Sequence, residues 1–251
     1  SCQAQSEMDQ NAGSFAVRDK DIHCALAVIP PEELWKDIQI LRYKHKDREL
    51  YRWPPHINVL WPFVKAHKLP KYSKDLESEV SGLNQLSITL QYPIIEKRRQ
   101  ALLLRLRIHS PELIDLQHRL MERFSGFDEM APPHLGYRPH MTIGSYPSNK
   151  EGYRKSSKAM ELLTSDWEPI QFVSDKLVVI SRRENKRSQF SPHAEVPFGN
   201  GVLRNVNSQF CGMPDTPLSF TPRDRFNVGQ KKRINRTKNR PTETPFDVWI
   251  R

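Results

Sequence analysis

The sequence predicts an α+β fold of two lobes, each a mostly antiparallel sheet with helices, related by an internal pseudo-twofold. Three observations carry that prediction. Strand patterns and helix patterns alternate along the chain in the order strand, helix, strand, helix, hairpin, helix, strand, helix, strands. One strand motif occurs twice, as Arg52-Trp53-Pro54-Pro55-His56-Ile57-Asn58-Val59 and as Arg138-Pro139-His140-Met141-Thr142-Ile143. The two copies stand at the same point of a repeated strand–helix plan, and no shorter period of the solenoid kind is present.

Each element has a local cause. Residues 1–20 are polar and aperiodic, a loose lead-in. Ile22–Ile29 is a buried strand, and Pro30-Pro31 ends it and opens a helix over Glu32–Lys46 with Leu34, Ile38 and Leu41 on one side. The first histidine strand follows, then a helix over Ser73–Leu83 carrying Leu76, Val80 and Leu83. Leu86–Ile95 and Ala101–Ile108 alternate as the two arms of a hairpin turned by Lys97-Arg98-Arg99-Gln100. In the second arm Leu102, Leu104, Leu106 and Ile108 share one face, which leaves Arg105 and Arg107 on a working face. Ser110-Pro111 is an N-cap followed by proline at the first helical position, and the helix runs to about Phe124. A loop with Pro132, Pro133 and His134 leads to the second histidine strand. A helix over Asn149–Leu163, two strands within Trp167–Arg182 and a short Ala194–Phe198 segment complete a domain spanning 21–204. Residues 205–251 form a proline-punctuated tail that stays mobile or drapes over the core, with Phe246, Val248, Trp249 and Ile250 to dock it.

The chain has 251 residues, 39 Lys+Arg against 29 Asp+Glu, and a formal net charge of +10. That balance favours a polyanionic partner such as nucleic acid. The basic run 231–240 is a phosphate-binding arm, a nuclear address or a solvated linker, and the tail is also a candidate contact for a protein partner. Cys2, Cys24 and Cys211 are few and far apart, which fits a reducing compartment and an intracellular protein, cytoplasmic or nuclear. No apolar run approaches the roughly 20 residues of a membrane span, and no signal-peptide pattern opens the chain. A chain that opens on Ser1 reads as a processed product or a piece of something longer.

The repeated motif carries the chemistry. Side chains alternate along a strand, so His56 and Asn58 share one face against Ile57 and Val59, and His140 and Thr142 share one face against Met141 and Ile143. Each copy offers an imidazole beside a hydrogen-bond donor. Two facing imidazoles suit displacement at phosphorus on ribose, one taking a proton from the attacking oxygen and the other giving one to the departing oxygen. Asn58 and Thr142 then donate to the non-bridging oxygens, with Arg105 and Arg107 as further phosphate ligands. Trp53 and Tyr137 are candidates for base stacking, weighed against ordinary packing. No metal or other cofactor is expected, because no His-x-x-x-His, ligand-spaced carboxylate or cysteine pair occurs. A Gly-x-Ser-x-Gly nucleophile elbow is absent as well.

The two motifs resemble those of the 2H phosphoesterases, the two-histidine superfamily that includes LigT-like 2′–5′ RNA ligases and cyclic phosphodiesterases. The shared pattern is His-apolar-Thr/Ser-apolar, twice; His140-Met141-Thr142-Ile143 follows it, and His56-Ile57-Asn58-Val59 follows it except at Asn58. The flanks Arg52-Trp53-Pro54-Pro55, Trp61-Pro62-Phe63 and Arg138-Pro139 look like the LigT-type branch, over roughly residues 20–200. The resemblance implies a bilobal fold around a central groove with one motif per lobe. It implies metal-independent opening of 2′,3′-cyclic phosphates, or cleavage of related ribose phosphodiesters including 2′–5′ linkages, on an RNA or oligonucleotide substrate. Asn58 departs from the pattern, which keeps an alternative open: a non-catalytic RNA-end or nucleotide-binding module with a degenerate site.

Overall fold

The computed structural model describes residues 18–124, 126–127, 136–183, 188–206 and 208–214. Most of the N-terminal lead-in, His134, the basic run and the docking candidates Phe246–Ile250 lie outside them. The elements are β1 (Lys20–Asp21), β2 (Cys24–Val28), α1 (Trp35–Lys44), β3 (Ile57–Leu60), β4 (Phe63–Val64), α2 (Leu69–Val80), β5 (Leu86–Arg98) and β6 (Ala101–His109). After them come α3 (Pro111–Arg123), β7 (His140–Pro147), α4 (Lys150–Ser165), β8 (Ile170–Ser174), β9 (Lys176–Ser181), β10 (Ser191–Pro197) and β11 (Arg204–Asn205).

Two antiparallel sheets form the lobes. One has the order β11-β10-β9-β2-β3 and the other β7-β6-β5-β8, with the short pair β1-β4 beside them. The internal twofold is visible in the connections. β2 leads through α1 to its neighbour β3, and β6 leads through α3 to its neighbour β7. The chain then crosses over: after β3 and α2 it enters the other sheet as β5, and after β7, α4 and β8 it returns to the first as β9. The lobes are therefore not successive halves of the sequence. Each histidine strand is the edge of its own sheet, and the helix of one lobe packs on the histidine strand of the other, α1 on β7 and α3 on β3. The main core spans both lobes, including Leu26, Val59, Leu104, Leu116, Ile143 and Val179, and a second, smaller cluster includes Ala25, Ala27, Trp53 and Phe190. Fully burying such a side chain contributes about 1.5–3 kcal/mol.

The elements match the sequence pattern with informative shifts. Ser110 accepts from Leu113 N at 3.3 Å and Asn149 from Gly152 N at 2.8 Å, capping α3 and α4. α2 starts four residues before the expected Ser73, because Pro70 occupies its first turn. β5 runs on to Arg98, so Lys97 and Arg98 belong to the strand and the turn is Arg99-Gln100, with Arg99 in the left-handed region at φ 50°.

α1 differs most. The expected stripe of Leu34, Ile38 and Leu41 is only partly used; the buried face is Trp35, Ile38, Gln39 and Arg42. Arg42 is buried because it has partners on every side. Its Nε donates to Asp47 at 2.6 Å, and Nη1 donates to Gln39 Oε1 and to the Trp53 carbonyl, both at 2.9 Å. The tail joins the same cluster. Gln39 Nε2 donates to the Gly212 carbonyl at 3.1 Å, and Phe210 packs on Trp35 with ring centroids 5.2 Å apart. The core thus continues past the expected boundary at 204 to Pro214, the part of the tail that drapes over α1.

Arg42 and Asp47 are each about 2% exposed, so removing one partner strands the other charge without solvent. Asp47→Ala is expected to cost about 3–5 kcal/mol in urea unfolding. A loss below about 1 kcal/mol at unchanged m-value contradicts the role given to this pair.

Candidate active site

Both histidines are held by the same local device. Pro55 precedes His56 and Pro139 precedes His140. A proline offers no N–H and keeps the residue before it extended. The carbonyl of that residue turns back to the ring: His56 Nδ1 lies 2.7 Å from Pro54 O, and His140 Nδ1 lies 2.9 Å from Arg138 O. A carbonyl only accepts, so Nδ1 carries the proton and Nε2 of each neutral ring keeps its lone pair. The apolar alternates behind them are fully buried, with Ile57 and Ile143 at 0% and Val59 and Met141 at 1% exposure.

His56, Asn58, His140, Thr142 and Arg105 line one cavity of about 560 Å³ between the two edge strands. The phosphate-ligand candidates therefore meet the two rings at one place. Arg107 does not: it is the ladder partner of His140 but stands outside the cavity wall. Tyr137 is also elsewhere. It is 8% exposed, and its hydroxyl donates to the Asn58 carbonyl at 2.6 Å, tying the lead-in of β7 to β3. Trp53 lines the cavity as a backing plate. It stacks on His56 at 4.7 Å and on Phe190 at 3.8 Å and is 9% exposed, so little of it is left for a base. Trp61, set edge-on to Trp53 at 6.2 Å, is the cavity aromatic with more exposure.

A scan against family models matches residues 30–186 to the 2′-5′ RNA ligase superfamily. The chain belongs to that superfamily. Among solved structures, Escherichia coli LigT complexed with 3′-AMP is 16% identical, with a TM-score of 0.44 over 72% of this chain and 99% of that one. Kluyveromyces marxianus Usb1 is 11% identical, with a TM-score of 0.43 over 70% and 97%. A structure described as a phosphoesterase is 16% identical, with a TM-score of 0.44 over 70% and 98%. No curated protein matches the sequence.

In this superfamily member the cavity is strongly basic. Arg42, Arg48, Arg52, Arg98, Arg105 and Arg182 line it, against Asp47 and Glu49. Most of these arginines carry no periodic signal and come from turns and strand ends, so the sequence pattern missed them; Arg105, placed by strand alternation, and Arg52, inside the first motif, are the exceptions. Glu96 holds Arg105, and its other oxygen takes Arg98 Nε at 2.8 Å. Burial favours protonation of the Glu96 carboxyl, but Arg105 and Arg98 outweigh it and hold its pKa below the usual value. Among the described residues no group of three or more His, Cys, Asp or Glu is placed to hold a metal ion, and no helix is long and apolar enough to cross a membrane.

Burial dominates the titration of both rings. It pushes His56 down to about 3, against the Pro54 carbonyl and with help from the Arg42 charge and from His140. It pushes His140 down to about 4, with help from Arg105 and against the Arg138 carbonyl and Glu96.

The depressed values have a consequence for stability. Unfolded, each ring takes its proton near the ordinary 6.5; folded, it does so only near 3 or 4. Between those limits the unfolded chain binds more protons, so stability is complete above about 6.5 and is lost as pH falls toward 4. Urea titrations of wild type and His56→Gln over that window are expected to show the shallower acid loss in the variant, by at most about 1.4 kcal/mol per pH unit. Parallel curves contradict a neutral, desolvated His56.

Proposed function

We propose that this protein is an RNA phosphodiesterase that opens 2′,3′-cyclic phosphates, or cleaves related ribose phosphodiesters including 2′–5′ linkages, by paired histidine acid–base catalysis. The observation that supports it most is the matched presentation of two rings in one basic cavity, each anchored through Nδ1 with Nε2 left to exchange a proton. The superfamily's name supports RNA as the substrate.

In this reading one Nε2 accepts a proton from the attacking water. The water oxygen bonds to phosphorus, the bond to one ribose oxygen breaks, and that oxygen takes a proton from the other Nε2. Glu96 favours the charged form of His140, which makes His140 the donor and His56 the base in this reading. The incoming phosphodiester brings the negative charge that raises the donor back toward neutral pH. Thr142 and Arg105 donate to the oxygens on which charge grows. Asn58 carries donor and acceptor on separate atoms, so its amide N–H meets a phosphate oxygen while Oδ1, buried and without a partner among the described residues, accepts from the free hydroxyl of the neighbouring ribose. Proton transfer and charge stabilisation are both supplied by side chains, and no metal enters the scheme.

His56→Ala and His140→Ala are each expected to lower turnover of a cyclic-phosphate oligonucleotide by about 10²–10⁴-fold in EDTA, and the double variant by less than the product. Equal rates for wild type and His140→Ala, or no turnover by wild type on a panel of cyclic and 2′–5′ linked substrates, would promote the alternative of a non-catalytic RNA-end binding module. The pH dependence is a second check. kcat/KM reports the free protein and kcat the complex, so the alkaline fall of kcat is expected at higher pH than that of kcat/KM. Coincident alkaline limbs would remove the bound phosphate from the titration. Asn58→Thr is expected to keep the rate if only the donor matters, and to raise KM if the ribose contact is real.

A further inference from the structure

On its cavity side the four-stranded sheet is laid out in rows. Register places His140 opposite Arg107, Thr142 opposite Arg105, and Ser145 opposite Leu103, which in turn faces Glu96. Thr142 and Ser145 are three residues apart, a spacing that in a regular strand puts them on opposite faces. They share a face because the ladder shifts between Leu104 and Arg105, where Ile143 is the extra residue on β7. Arg105 leaves its own row: it is bonded to Glu96, which draws its guanidinium toward the row of Ser145. Arg98 reaches the same carboxylate from the rim.

Ser145 and Arg105 are each 7% exposed. Ser145 Oγ and Arg105 Nε are buried donors without a hydrogen-bond partner among the described residues, on two residues that line the cavity. A buried donor left unmade is costly, and two on the wall of one cavity mark a place for ligand acceptor atoms. Two arginines sharing one carboxylate keep a net positive charge, so the acceptor that fits best is an anion rather than a base edge.

We propose that Ser145 and Arg98, with the several N–H groups of Arg105 shared between this place and the reacting phosphate, form a second anion subsite one row from Thr142, and that it takes the phosphate of the adjoining nucleotide. One row is two residues along a strand, about 6.6–6.8 Å, a separation that successive phosphates of one strand can match. The inference rests on the phosphodiesterase reading and narrows its substrate: an oligonucleotide end with a charged internal linkage, rather than a mononucleotide.

The test is equilibrium binding in EDTA, by calorimetry, of two dinucleotide 3′-monophosphates that differ only in the internal linkage. One carries the natural phosphate and the other a neutral methylphosphonate. Wild type is expected to bind the natural ligand at least about tenfold more tightly, the scale of one charge-assisted hydrogen bond. Ser145→Ala and Arg98→Gln are expected to bring that ratio toward one. Arg98 is half exposed, so its variant stands in if the buried serine cannot be changed without unfolding. Equal affinities in wild type, a ratio untouched by both variants, or no binding of either ligand overturns the subsite. Binding needs no turnover, so the two readings fail separately. The expected ratio without catalysis keeps the subsite and removes the phosphodiesterase; turnover of a cyclic nucleotide with a ratio of one does the reverse.

Discussion

The Tyr137 hydroxyl donates to the Asn58 carbonyl, and through that bond the segment entering one histidine strand is fixed to the other histidine strand. Both strands are sheet edges, and nothing in either ladder sets the distance between them. A buried phenol satisfies an edge carbonyl that has no neighbouring strand to pair with. Burial raises the Tyr137 pKa, so the donor does not titrate away. Helices α1 and α3, each packed across the junction on the opposite lobe, hold the same contact from outside. The cavity is therefore a consequence of how two edges are kept apart and in register, and the rings in it inherit that geometry.

The electrostatics follow from the same closure. Two imidazoles, six guanidiniums and few carboxylates line one cavity. Repulsion among so many cations is relieved in two ways. Arg42 takes a buried partner in Asp47, and Arg98 with Arg105 share Glu96. The rings stay neutral instead. A polyanion entering this place meets fixed donors, and its charge makes a protonated ring favourable. Binding and protonation are thus linked, and the linkage depends on the ligand's charge more than on its bases.

Much of this was legible in the sequence because the two motifs obey strand alternation. His56 with Asn58 and His140 with Thr142 could be assigned to one face each, and their apolar alternates to the core, before any coordinates. Arg105 was legible for the same reason. Arg107 obeys the same alternation and shares the row of His140, yet it stands on the inner strand outside the cavity wall, which alternation cannot report. Ser145 was invisible because a bulge changes the face of every later residue in its strand, and no local residue type announces the bulge. Trp53 and Tyr137 were recognised as belonging near the site, but whether an aromatic faces a ligand or a neighbour depends on tertiary packing. Arg42 broke the pattern most plainly. A charged residue in the buried stripe of α1 looks like an error in the helical period until Asp47, Gln39 and the Trp53 carbonyl are seen around it.

The backbone twofold and the side chains tell different stories, and the difference bears on mechanism. The strand–helix–strand units, the proline before each ring and the carbonyl that holds it are repeated almost without change. The surroundings are not repeated. His56 lies against Trp53, with Asn58 beside it and Arg42 nearby; His140 lies with Thr142, Arg105 and Glu96. A symmetric pair of rings in symmetric surroundings has no preferred donor. Arg42 near one ring and Arg105 with Glu96 near the other make their electrostatic surroundings unequal. In the proposed reaction, duplicated backbone geometry would present two equivalent nitrogens, and the unequal side chains would decide which is acid and which is base.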